Sequence, residues 1–175
     1  MNIHPVVVHF PVALLTIYAL MELIRFNKVK SQPYWFYVKA LFLMIGGLGA
    51  LAARQTGEWA AEGVDRSSDT AGILNMHENF ANATTLIFGT LAVGYLIIWL
   101  NRENIFKFFN NNQTLIKIWN FILPIAKVLI ETKLVILLAF AGLACVTITG
   151  GLGGIMVYGP DADPFFGFIY KLIFQ

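Results

Sequence analysis

Several runs of this sequence are apolar for long enough to cross a bilayer, for which a helix needs about 20 residues. That feature decides most of what the chain can be. In lipid every backbone N–H and C=O must be satisfied inside the protein, and a helix does this within its own segment. Composition agrees: 58% of the 175 residues are hydrophobic and 13% are charged, where a soluble domain would carry about 25% charged. The expected fold is all-α, an integral membrane four-helix bundle forming a single domain over 1–175.

The spans are expected at about 5–26, 34–53, 73–100 and 133–158. Pro5 suits a first helical position, where the missing N–H costs nothing, and Pro11 predicts a kink one turn later. The second span opens on Tyr34, Trp35, Phe36 and Tyr37, an aromatic cluster suited to the membrane interface. The polar, acidic stretch 54–72 reads as a loop. Between the third and fourth spans, Lys117, Asn120, Pro124, Lys127 and Glu131 share one helical face opposite Leu, Ile, Trp and Phe. An additional amphipathic helix at about 114–131, lying on the membrane surface before the fourth span, is expected; one long helix kinked at Pro124 is the competing reading. The aromatic tail 164–175 is too short to span and is expected at the interface or against a partner.

Basic residues orient the bundle. The first connection carries Arg25, Lys28, Lys30 and Lys39, and the third carries Arg102, Lys107, Lys117, Lys127 and Lys133. The middle one has only Arg54 and Arg66. The basic connections should face the cytoplasm, which puts both termini and all three histidines on the outer, periplasmic side of a bacterial inner membrane. No basic n-region or small-residue cleavage site marks a cleavable signal peptide.

Several function classes drop out. A net charge of +2 gives no reason to expect nucleic acid. Cys145 is a lone cysteine in an apolar run, and there is no Cys-x-x-Cys-His for covalent haem attachment. Ser67 and Ser68 have no triad around them, and the glycine run at 150 lacks the lysine of a phosphate loop. Transport through a mid-span acid is not supported either, since Glu22 falls at the cytoplasmic end of the first span.

The histidines are the chemistry that remains. His9 and His77 each head an apolar helix, and His4 lies one turn before His9. A b-type haem needs two imidazoles facing each other from two helices, and space for a flat ring. Glycines gather at the same level, at Gly46, Gly47 and Gly49 in the second span and at Gly150, Gly151, Gly153 and Gly154 in the fourth. Glycine also lets membrane helices approach closely with no ligand at all. His4 is open to three roles: capping the helix, serving as the alternative axial ligand or propionate partner, or joining a three-histidine zinc or copper site. Arg54 and Arg66 could pair with propionates or simply balance the acidic loop.

The segment His4-Pro5-Val6-Val7-Val8-His9-Phe10-Pro11 resembles the opening of a large family of bacterial four-helix membrane proteins of unknown function, marked by His-Pro-x-x-Val-His-Phe-Pro. The glycine-rich end of the second span, His77, and the run from Gly150 to Gly159 resemble the same family. Some members are fused to c-type cytochrome domains, so the resemblance implies redox work. The expectation is a membrane b-type cytochrome, an electron carrier rather than an enzyme. Haem b would sit between His9 and His77, with His4, Gly49, Gly150 and Arg54 around it. Its partners would be the lipid bilayer, other membrane or periplasmic redox subunits and the quinone pool. A non-redox structural or assembly subunit, or a histidine-based metal-handling protein, are the alternatives.

Overall fold

The computed structural model describes residues 3–24, 26–62, 70–105 and 112–175. Arg25, Arg66 and Lys107 of the orientation argument and the serines at 67 and 68 lie outside them. The described elements are all helices: α1 His4–Leu23, α2 Asn27–Lys30, α3 Trp35–Ala61, α4 Thr70–Arg102, α5 Gln113–Glu131, α6 Leu134–Tyr158 and α7 Pro164–Phe174.

Four of them make a ring. α1 packs on α3 and α6, and α4 packs on α3 and α6, so α1 and α4 are diagonal partners. Successive ring helices run antiparallel, which gathers one set of ends around His4 and the other around Glu22. The core between them is built from Leu15, Tyr18, Leu43, Phe88, Leu91, Tyr95 and Ala139, all within 1% of full burial. The outer faces remain apolar, with Leu48, Leu86, Leu137 and Phe140 all at least 60% exposed, as lipid contact requires.

Glycines set how closely the ring closes. A Cβ on Gly142 of α6 would lie 2.6 Å from the tip of Phe88, and one on Gly46 of α3 would lie 2.8 Å from Leu15. In each case a large side chain of the neighbouring helix fills the place a Cβ would take. This is the small-residue route to helix contact in a membrane, where dispersion rather than the hydrophobic effect drives association.

Two features depart from expectation, the reach of α3 and the number of long apolar helices, and one choice left open by the sequence is resolved. α3 runs on to Ala61, so 54–61 is helix rather than loop. Its alanines favour the helix, and Arg54 and Glu58 form an i,i+4 ion pair at 3.2 Å. The segment before α6 is a separate helix that passes through Pro124 and ends at Glu131, so the break falls at Thr132–Lys133 and not at the proline. Five helices rather than four are long and apolar enough to cross a membrane, the additional one being α5. α5 has three faces. Trp119, Ala126 and Ile130 are buried against the bundle, Lys117, Asn120, Lys127 and Glu131 are exposed, and Ile118, Phe121, Ile125 and Val128 form an exposed apolar strip. That third strip makes the segment apolar in bulk despite its polar stripe.

The tail is a helix as well. Asp163 caps α7 by accepting the Phe165 N–H at 2.7 Å. Ile169 and Phe166 then pack where Gly151 and Gly154 leave α6 bare.

Gly142→Ala should destabilise the α4–α6 contact by roughly 1–3 kcal/mol, because Phe88 has nowhere to move in a filled core. Gly89→Ala, with nothing within 4 Å of its Cβ position, should leave stability unchanged. Unfolding of both variants in mixed detergent checks the contrast.

Candidate functional site

The four ring helices each contribute a residue to one polar constellation at the His4 end. His4 Nδ1 lies 3.1 Å from the Thr56 hydroxyl of α3. That hydroxyl donates to the Ala53 carbonyl at 3.0 Å. His77 Nδ1 on α4 donates to the Thr149 carbonyl of α6 at 2.9 Å. The His77 imidazole is therefore assigned the neutral tautomer with the proton on Nδ1 and the lone pair on Nε2. This is the arrangement that metal-bound histidines show, the second nitrogen being fixed by a carbonyl or hydroxyl acceptor.

The two imidazoles stand on diagonally opposed helices of the ring. Glycine makes room for each of them. A Cβ on Gly57 would come within 3.1 Å of His4 Cε1, and one on Gly153 within 3.4 Å of His77 Cε1. The buried residues at this end include Pro11, Ala50, Ala53, Thr56, Thr84, Val146 and Thr149, and Leu152 on α6 is fully buried beside Gly153. Among the described residues no group of three or more His, Cys, Asp or Glu is gathered as a metal site.

Other expected site residues fall elsewhere. His9 is exposed, and its Nδ1 bonds the Pro5 carbonyl one turn back. Gly49 is covered by Phe10 and Pro11, at 3.2 and 3.3 Å from its Cβ position. Gly150 is exposed with nothing near it. Arg54 is an exposed residue bound to Glu58. Of the two histidines of α1, His4 is thus the one tied to a neighbouring helix.

At the opposite end lies a second constellation that sequence reasoning set aside. Glu22 is 3% exposed and receives the Lys39 ammonium at 2.8 Å. Tyr95 and, at 3.4 Å, Tyr18 also donate hydroxyls to Glu22 Oε1. The two tyrosines meet edge to face at 5.8 Å, and Lys39 stands over the Tyr95 ring at 5.6 Å. A buried carboxylate in lipid demands such a set of donors. The 17-residue separation of Lys39 from Glu22 carries no local pattern; only the α1–α3 pairing brings them together.

A family model described as "Predicted membrane protein (DUF2231)" matches residues 1–161. No curated protein and no solved structure matches the chain.

Lys39→Met should cost about 3–5 kcal/mol, because it strands the Glu22 charge in the interior. The double variant Glu22→Gln with Lys39→Met should recover most of that loss. Equal destabilisation of the single and double variants in detergent unfolding would mean that the pair contributes nothing beyond packing.

Proposed function

We propose that this chain, which belongs to the DUF2231 family of predicted membrane proteins, is a membrane-bound b-type cytochrome that holds its haem through His4 and His77. The observation that carries this reading is the pair of imidazoles on diagonal helices, each with Nδ1 tied to a neighbouring helix. Tied in that way, each ring presents Nε2 as a ligand of fixed direction. Thr149 holds the His77 tautomer and raises the basicity of its coordinating nitrogen. A haem so ligated would exchange one electron at a time. The chain's own contribution is orientation, ligand strength and the exclusion of lipid and water from the ring edges.

In this reading α1, α3, α4 and α6 span a bacterial inner membrane and α5 lies along the ring's flank. The basic residues at the Glu22 end then face the cytoplasm, and both termini and the histidine pair face outward. A single redox group near one face does not carry electrons across the whole bilayer. The chain therefore works beside other membrane or periplasmic redox subunits, taking electrons from the quinone pool or delivering them to an outer-side acceptor.

One observation favours a second reading, that of a structural or assembly subunit. Gly49, Gly151 and Gly154 are met by side chains of neighbouring elements, so these three glycines serve packing in any case.

The purified chain, made in haem-replete cells, should show a Soret band, with α and β bands that sharpen on reduction with dithionite. His4→Ala and His77→Ala should each remove these bands, while His9→Ala should leave them. A flat spectrum from the wild-type chain would overturn the cytochrome reading and leave the structural one.

A further inference from the structure

The Glu22 end of the bundle opens into a cavity of about 370 Å³, bounded by the ends of α1, α3, α4 and α5 and the start of α6. Glu22 and Lys39 line it, closed on one another as an ion pair. Arg102 and Glu131 line it too, and both are exposed. Among the described residues neither of these two is in an ion pair. The cavity therefore presents one guanidinium and one carboxylate whose charges are unmatched by each other's helix. The Arg102 guanidinium is pre-oriented, lying 3.9 Å above the Phe36 ring. Phe36 in turn stacks on Tyr95 at 5.1 Å and 26°. A planar fork held flat in this way offers its N–H edge to a phosphate.

An apolar groove adjoins the cavity. It is lined by Leu20, Leu23, Ile24 and Phe26, and Ile24 also borders the cavity. Leu20 and Phe26 are 49% and 72% exposed, so the groove lies on the lipid-facing surface. A polar cavity with one unmatched charge of each sign, continuous with a hydrocarbon groove at the end of membrane helices, has the chemistry of a site for a zwitterionic amphiphile.

We propose that this cavity and groove bind one phospholipid with a phosphoethanolamine head. Arg102 takes the phosphate, Glu131 takes the ammonium, and an acyl chain lies along Leu20, Leu23, Ile24 and Phe26. Basic pockets between helices at the cytoplasmic side are known to hold lipid head groups; here the added carboxylate selects a head that carries a cation as well. A planar quinone head is disfavoured, since Phe36 already carries Tyr95 and Arg102 against its ring. This site is independent of the histidine pair.

The test uses the full chain in lipid nanodiscs containing equal phosphatidylethanolamine and phosphatidylglycerol, released into detergent and weighed by native mass spectrometry. The wild type should retain one phosphatidylethanolamine per chain. Arg102→Gln should lower that retention roughly tenfold or more, as a charge-assisted phosphate contact is lost, and Arg102→Lys should restore part of it. Glu131→Gln should shift retention from phosphatidylethanolamine to phosphatidylglycerol. Both positions are exposed, and unchanged helix content by circular dichroism separates lost binding from lost folding. Glycerophosphoethanolamine, which has the head without chains, should fail to displace the lipid. Equal retention of both lipids by the wild type, retention untouched by Arg102→Gln, or displacement by the chainless head would each overturn the proposal.

Discussion

Lipid offers a buried polar group nothing to bond, and this one constraint explains how every polar side chain inside the bundle is arranged. Glu22 is surrounded by an ammonium and two phenols. Thr84, Thr56 and Thr149 return their hydroxyls to carbonyls within their own helices, Phe80, Ala53 and Cys145. The two inward histidines are tied to other helices. Among the described residues no buried side-chain nitrogen or oxygen lacks a partner. Polar residues in this core therefore specify which helices lie side by side, a task that apolar faces alone perform poorly when lipid is equally apolar.

The ring of helices was legible because it rests on bulk apolarity and length, which survive any choice of partner. The ends of the helices were less so. The charges of Arg54, Glu58 and Glu62 made 54–61 look like a loop, yet a charge at the water-facing end of a helix costs nothing and an i,i+4 pair favours the helix. α5 was legible as a helix, but not as one apolar enough to span, because a period of three to four marks one exposed polar face and does not say how the other two are divided.

Of the site, the sequence carried the residue types but not the pairing. His4 and His9 are five residues apart, a rotation of about 140° on a helix, so a bundle axis faced by one is turned away from the other. That phase was available from the spacing. What it left open was which of the two faces inward, and this depends on α3 bringing Thr56 and Gly57 to the first turn of α1. The Glu22 network was less accessible still. Its members come from α1, α3 and α4, and no periodicity within one helix links Tyr18 and Glu22 to Lys39 and Tyr95.

The tie between His77 and Thr149 spans 72 residues, and this has a consequence for the order in which the molecule is made. When α1, α3 and α4 have entered the membrane, His4 already has Thr56, but the acceptor for His77 is still to be synthesised. The fourth wall of the ring arrives only with α6, and the helix that follows then closes on its glycines. The tie that holds His77 is thus among the last contacts of the bundle to form. A chain interrupted before α6 would carry both histidines without the carbonyl that holds the His77 ring.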